Sequence, residues 1–146
     1  MRQLTESDLY KRLSFNGGEI MKNVMIPDGY NRVMPYLIVA DVDGFLTFMQ
    51  TVFGAEEKYK EMRDENTIKH AEVRIGESVI MFAQSTDEYS PQTAGMFIYV
   101  DNADKVFQKA LAAGAKEIMP PAHQTYGRSG GVQDPFGNTW WITSVQ

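Results

Sequence analysis

The sequence predicts an α+β protein built from two βαβββ modules. Three observations carry this: a segment that occurs twice, helical spacing of apolar residues inside each copy, and extended stretches after each helix. "LIVADVDGFLTFMQTVFGAEE" from Leu37 matches "FIYVDNADKVFQKALAAGAKE" from Phe97 in plan. Each runs from an apolar strand through an Asp/Asn-bearing cap region and a helix to Gly-Ala and a charged pair. Val39 and Val100, Asp43 and Asp104, and Gly76 and Gly137 are all 61 residues apart. Self-similarity at a fixed period is the mark of a repeated structural unit.

Taken in order, residues 1–30 precede the repeat. Thr5 and Asp8 are spaced like a capping box, which predicts a short helix over Thr5–Leu13, and Asn16-Gly17-Gly18 breaks it. This N-terminal extension gives way to the domain at 31–146, with module one at 32–84 and module two at 94–145. The first helix is announced by Phe45, Phe48, Met49, Val52 and Phe53, and the second by Ala103, Val106, Phe107, Ala110 and Leu111. Both sets fall at i, i+3, i+4, i+7, i+8, which lines one face of a helix. Asp41 and Asn102 are the expected N-caps, and Gly54 and Gly114 the expected stops. Strands are expected at Glu56–Met62, Thr67–Ile75 and Ser78–Gln84, with counterparts at Lys116–Met119, Gly130–Asp134 and Asn138–Val145. In the third strand Ala71, Val73 and Ile75 point one way, and His70, Glu72 and Arg74 the other. The apolar set belongs under the helices; if the two halves curl together, the polar set lines the inside of a cup.

Composition excludes several functions. Hydrophobic residues make up 43% and charged residues 23%, an ordinary globular balance. A net charge of −5 leaves no basic stripe to displace phosphate counterions, so nucleic acid is not an expected partner. There is no cysteine, hence no thiol nucleophile and no zinc–thiolate site. No apolar run approaches the roughly 18 residues of a membrane span, and the first residues lack the apolar core of a signal peptide. The expectation is a cytoplasmic protein without a membrane partner.

The paired repeats, the stretch "HAEVRIGESVIMFA" and the ending "DPFGNTWWI" together resemble the vicinal oxygen chelate superfamily, which groups glyoxalases, bleomycin-resistance proteins and extradiol dioxygenases. "HAEVRIGESVIMFA" together with "PYLIVADVDGFLTFMQTVFGAEE" resembles especially the PhnB-like branch. The resemblance covers about residues 32–145. It implies two modules forming a half-open barrel around a ligand cavity, often in a homodimer. Metal enzymes of this family draw four ligands, typically His and Glu, from the first and last strands of each module. Those positions fall on Met34, on Ile80 or Met81, on Gly95 and on Trp141. None holds a hard divalent ion, since a thioether suits soft metals such as Cu(I); no metal or other cofactor is expected. His70 and Glu72, sharing one strand face, are a conceivable alternative site with His123 as a third ligand. A Glu72–Arg74 ion pair or a hydrogen-bonded His70 is the plainer expectation.

By the same alternation Met34, Tyr36, Ile38, Phe97, Tyr99 and Trp141 face inward. With His70, Glu72 and Arg74 they make an apolar-aromatic pocket with a few polar groups, the usual make-up of a small-molecule site; the plain alternative is that the aromatics simply fill the cup. Tyr126 and Arg128, placed on a loop before the last hairpin, are expected at the opening, with Arg74 or Arg128 available to an anionic ligand. Two functions stay open. One is a metal-free binding protein holding a flat or amphiphilic molecule. The other is an isomerase, lyase or dioxygenase-like enzyme in which His70, assisted by Glu72, is the acid/base. A partner-interaction role ranks third and rests on the N-terminal extension.

Overall fold

The computed structural model describes residues 24–145, so the helix expected at Thr5–Leu13 lies outside the described residues. Module one runs β1 (Tyr36–Val39), α1 (Val42–Phe53), β2 (Glu56–Met62), β3 (Ile68–Ile75) and β4 (Ser78–Gln84). Module two repeats the order with β5 (Gly95–Tyr99), α2 (Ala103–Ala112), β6 (Lys116–Gln124), β7 (Gly127–Gln133) and β8 (Thr139–Ser144). The strands form two four-stranded sheets, β1-β4-β3-β2 and β5-β8-β7-β6, and neither closes into a barrel. In each, the last strand returns beside the first in parallel, and the other pairs are antiparallel. None of the described helices is long and apolar enough to cross a membrane.

Both helices begin where their caps predict. The Asp41 side chain accepts from the Gly44 N–H at 2.9 Å, and Asn102 accepts from Lys105 N–H at 3.0 Å, satisfying donors that a helix start otherwise leaves orphaned. Gln84 adds a tertiary clamp on α1: its amide oxygen accepts from Val42 N–H while its amide nitrogen donates to the Ala40 carbonyl. Gly54 ends α1 in the left-handed region at φ 67°, where a Cβ is costly.

Alternation sorts each sheet into a helix-facing and an open face. Leu37, Val39, Ala71, Val73, Ile80 and Phe82 join the core on the first sheet, and Val132, Trp140 and Ile142 on the second. The modules are joined through this apolar side. Helix α1 packs on α2; Phe136 stands edge-on to Phe45 and Phe48 at 5.7 and 6.3 Å, and Phe53 lies 4.5 Å from Trp140 between ring centroids. Among the described residues, ring contacts on the open faces stay within a module: Tyr36 and Tyr59 with His70, and Phe97 with Tyr99 and Tyr126.

The turn before β8 is organised by Asp134, which is 3% exposed. Its carboxylate accepts from the backbone N–H groups of Phe136 and Asn138, each at 2.9 Å, and from the Trp140 indole N–H at 2.8 Å. A polar indole nitrogen can be fully buried only with such a partner. That bond lets Trp140 enter the core, and alternation sends Trp141 to the open face. There the indole lies across Gly131 of β7, where an added Cβ would sit 2.5 Å from the ring.

Two strands differ from expectation. Strand β6 does not stop at Met119 but runs through Pro120 and Pro121 to Gln124, which places His123 in a strand and not in a loop. It is an edge strand, and its pairing skips register between Met119 and Ala122; prolines are tolerated where no ladder N–H is needed. Strand β7 starts at Gly127, three residues before the expected Gly130.

Candidate functional site

The open face of module one carries a cavity of about 660 Å³, a volume within the range of small-molecule sites. Tyr36 and Ile38 of β1, Lys69 and His70 of β3, Ala83 of β4 and Tyr89 of the following segment line it. Register explains why two consecutive β3 residues share this face. Met62 pairs with Ile68 and Glu61 with His70, leaving Lys69 as an extra residue in the ladder. Such a bulge turns neighbouring side chains toward one side, so Ile68 drops into the core at 4% exposure while Lys69 and His70 both reach the cavity. A second shift between Glu57 and Tyr59 sets Lys58 and Tyr59 in the same relation on β2.

Four side chains form a continuous chain that meets the cavity at His70 and Tyr36. Tyr30, in the segment before β1, donates to Glu72 at 2.6 Å. The other Glu72 oxygen lies 3.1 Å from His70 Nε2, and His70 Nδ1 lies 3.2 Å from the Tyr36 hydroxyl. The Tyr36 ring also stacks on His70, with centroids 5.5 Å apart. Glu72 is 7% exposed. Burial pushes its carboxyl pKa up, but the hydrogen bonds from Tyr30 and His70, with the charges of His70 and Lys58, outweigh burial and hold it below the usual carboxylate range. An ionised carboxylate only accepts, so a neutral His70 carries its hydrogen on Nε2 and accepts from Tyr36 at Nδ1. The Tyr30 hydroxyl is shifted upward, chiefly by its bond to Glu72. Lys58 sits 4.4 Å from the Tyr30 ring centroid and holds that segment against the sheet.

Arg74 is not part of this group. It pairs with Glu56 directly across the ladder, at 2.9 Å and half exposed, so the Glu72–Arg74 pair expected from sequence does not form. Opposed residues on neighbouring strands are closer partners than i, i+2 neighbours on one strand. Arg128 is also elsewhere. Strand β7 already includes it, and it shares the helix-facing parity of Gly130 and Val132. Its guanidinium makes a bidentate pair with Asp104 at the start of α2, one of whose bonds measures 2.9 Å. The hydrogen bonds from Arg128 lower the Asp104 pKa, and those to Asp104 raise that of Arg128.

The remaining residues lie on the open face of module two or at its edge. Phe97 and Tyr99 are half to two-thirds exposed and in edge-to-face contact at 5.1 Å; Tyr126 in the β6–β7 turn reaches Phe97 at 6.1 Å. Beneath them Ser129 and Thr143 hydrogen-bond at 2.8 Å and are buried. His123 stands beside a smaller cavity of about 330 Å³, formed with Tyr126 and Arg128. It lies in module two, whereas His70 and Glu72 lie in module one, and among the described residues no three His, Asp or Glu side chains gather into a metal-binding group.

The positions corresponding to the family's metal ligands can also be placed. Ile80 pairs with Val73 and is core, whereas Met81 pairs with Glu72 and is on the open face, so Met81 is the residue in question. Met34 precedes β1, Gly95 opens β5 and presents no side chain, and Trp141 covers Gly131. Two thioethers, a glycine and an indole do not fit a hard divalent ion. Sequence reading missed Tyr30 and the two bulges; the pairing of Tyr36 with His70 was legible only as a shared face.

Comparison with known proteins agrees with this architecture. The family model of the glyoxalase/bleomycin resistance protein/dioxygenase superfamily matches residues 29–142. Protein Rv0887c of Mycobacterium tuberculosis and protein Mb0911c of Mycobacterium bovis are each 29% identical over 118 residues; the match covers 73% of this chain and 69% and 78% of theirs. Among solved structures, TioX from Micromonospora sp. ML1 superposes with a TM-score of 0.66 at 23% identity, covering 78% of this chain and 98% of that one. A PhnB protein from Bacillus cereus gives 0.66 at 19%, covering 79% and 100%. The fosfomycin resistance protein FosX from Mesorhizobium loti gives 0.58 at 20%, covering 84% and 94%. These likenesses are of fold. The family match spans most of the sequence, and the chain belongs to the glyoxalase/bleomycin resistance protein/dioxygenase superfamily.

Proposed function

We propose that this protein binds a small, flat organic molecule on the open face of module one, without the metal its superfamily commonly uses. The observation that carries the reading is the module-one cavity. It presents stacked Tyr36 and His70 beside apolar Ile38 and Ala83, and behind His70 the buried Glu72 carboxylate is already satisfied by Tyr30 and His70. Aromatic faces with a few oriented polar groups suit a planar ligand. The metal-ligand positions offer no hard donors, and His70 and Glu72 are engaged with each other. The proposal places the protein in the cytoplasm as a homodimer. Each module leaves an exposed aromatic face, and a second copy supplies a module-two face carrying Phe97, Tyr99 and Trp141 to cover the module-one cavity.

A second reading, an enzyme with His70 as acid/base, is favoured by one contact: Glu72 on Nε2 orients the imidazole as a carboxylate orients a catalytic histidine. Both readings use the same cavity. Elemental analysis of protein purified without chelator, followed by a thermal-shift screen of planar organic compounds, tests the first. The reading predicts no stoichiometric metal and a stabilising compound; a ligand at about 100 times its Kd adds roughly 2.7 kcal/mol. Near-stoichiometric metal that disappears in His70→Ala contradicts it.

A further inference from the structure

We propose that the module-one site takes a planar organic anion, the conjugate base of a weak acid such as a phenol, and takes up a proton with it onto the Glu72–His70–Tyr36 chain. The inference rests on the binding site proposed above and names its ligand class.

The geometry of Tyr36 leads to this. Its hydroxyl is the end of the chain that reaches the cavity, and the residue is half exposed. With His70 neutral, the Tyr36 hydrogen is directed at Nδ1 and the cavity sees only oxygen lone pairs. When His70 is protonated, Nδ1 becomes a donor to the Tyr36 oxygen, and the Tyr36 hydrogen turns into the cavity as a donor for an anion. The same proton makes the imidazolium a cation between ionised Glu72 and the incoming charge. Bond balance is simple: solvent supplies one proton to Nδ1, the Tyr36 O–H rotates, and no other bond forms or breaks.

The surroundings permit this. Facing His70 are Tyr36 on β1, Tyr59 and Glu61 on β2, and Lys69 and Glu72 on β3, with uncharged Ala83 opposite on β4. Glu61 is occupied with Lys69 at 3.2 Å. Tyr30 fixes the far oxygen of Glu72, so the carboxylate does not swing away when the imidazole charges. Arg63 at the cavity wall adds positive potential and Glu88 opposes it, leaving the decision to the floor. Aromatic walls from Tyr36 and Tyr89 select a planar ligand.

The probe is 4-nitrophenol near pH 8, where it is a coloured phenolate in solution. Calorimetry in two buffers of different ionisation enthalpy counts protons, and absorbance reports the state of the bound probe. The proposal predicts bound phenolate, still coloured, with close to one proton taken up per molecule. His70→Gln keeps a donor for Glu72 and an acceptor for Tyr36 but cannot charge, so it binds the phenolate weakly and takes up none. Tyr36→Phe loses the donor and weakens binding about tenfold or more. Proton uptake surviving in His70→Gln, or phenolate bound to wild type without uptake, overturns the proposal. If millimolar nitrophenol does not bind while the thermal screen finds other ligands in this cavity, the anion class is wrong and the binding site stands. If neither binds, the site itself is wrong.

Discussion

Replacing Asp134 by alanine should be among the most damaging single changes in this chain. The carboxylate is 3% exposed and holds the Trp140 indole N–H and the backbone N–H groups of Phe136 and Asn138. Trp140 and Asn138 are themselves 1% and 0% exposed, so neither of their donors finds water when the acceptor is removed. Each buried donor left unpaired costs about 1–3 kcal/mol, and Phe136 N–H, at a half-buried turn, costs less. The sum is roughly 4 kcal/mol, a large part of the 5–15 kcal/mol that holds a typical domain. In urea, with a slope of about 2 kcal/mol/M, the midpoint falls by roughly 2 M. Asp134→Asn separates the contributions: its carbonyl oxygen still serves the backbone donors, but its NH₂ confronts the indole N–H. It should lose about half as much. An alanine variant within about 0.5 kcal/mol of wild type, or an asparagine variant as unstable as alanine, would show that the Asp134 bonds do not hold this turn.

Other expectations follow from the same structure. Gly131→Ala places a Cβ 2.5 Å from the Trp141 ring; the indole must leave its seat, which should cost about 1–3 kcal/mol and red-shift its emission, read by fluorescence during denaturation. Because Glu72 has a lowered folded pKa, its stabilising contribution is present above its unfolded value of about 4.3 and is lost as pH falls through the folded value. Tyr30→Phe removes one of the bonds responsible, so the stability gap between wild type and this variant should close on acidification through that window. A gap that persists at low pH would assign it to packing instead. Sedimentation equilibrium should give a dimer of the 16.5 kDa chain, and Phe97→Lys with Tyr99→Lys should shift it toward monomer without unfolding it, because both side chains are exposed in the single chain.

The repeat was legible because its physics is local. Helix spacing, caps and the alternation of Ala71 and Val73 against His70 and Glu72 depend on neighbours within a few residues. What failed depended on partners far along the chain. Arg74 finds Glu56 because the β2–β3 hairpin places them opposite, and the bulge that brings Lys69 beside His70 arises from pairing register; neither leaves a mark in a single strand. Arg128 lies in the three residues by which β7 exceeds the expected strand. Alternation carried back from Gly130 puts it on the helix side, within reach of Asp104. The prolines of β6 argued for a loop, and only its position at the sheet edge removes that objection. Tyr30 carried no periodic signal at all, so its bond to Glu72 was not visible before the fold was known.

In the proposed function a planar ligand seats on the open face of module one without metal. Amide chemical-shift mapping on metal-stripped, isotope-labelled protein, titrated with a compound that stabilises it, tests this most directly. Perturbations should concentrate at Tyr36, Ile38, Lys69, His70 and Ala83 and disappear in a folded His70→Ala, Tyr36→Ala variant. Perturbations confined to other surfaces, or a ligand that binds only after divalent metal is restored, would contradict it.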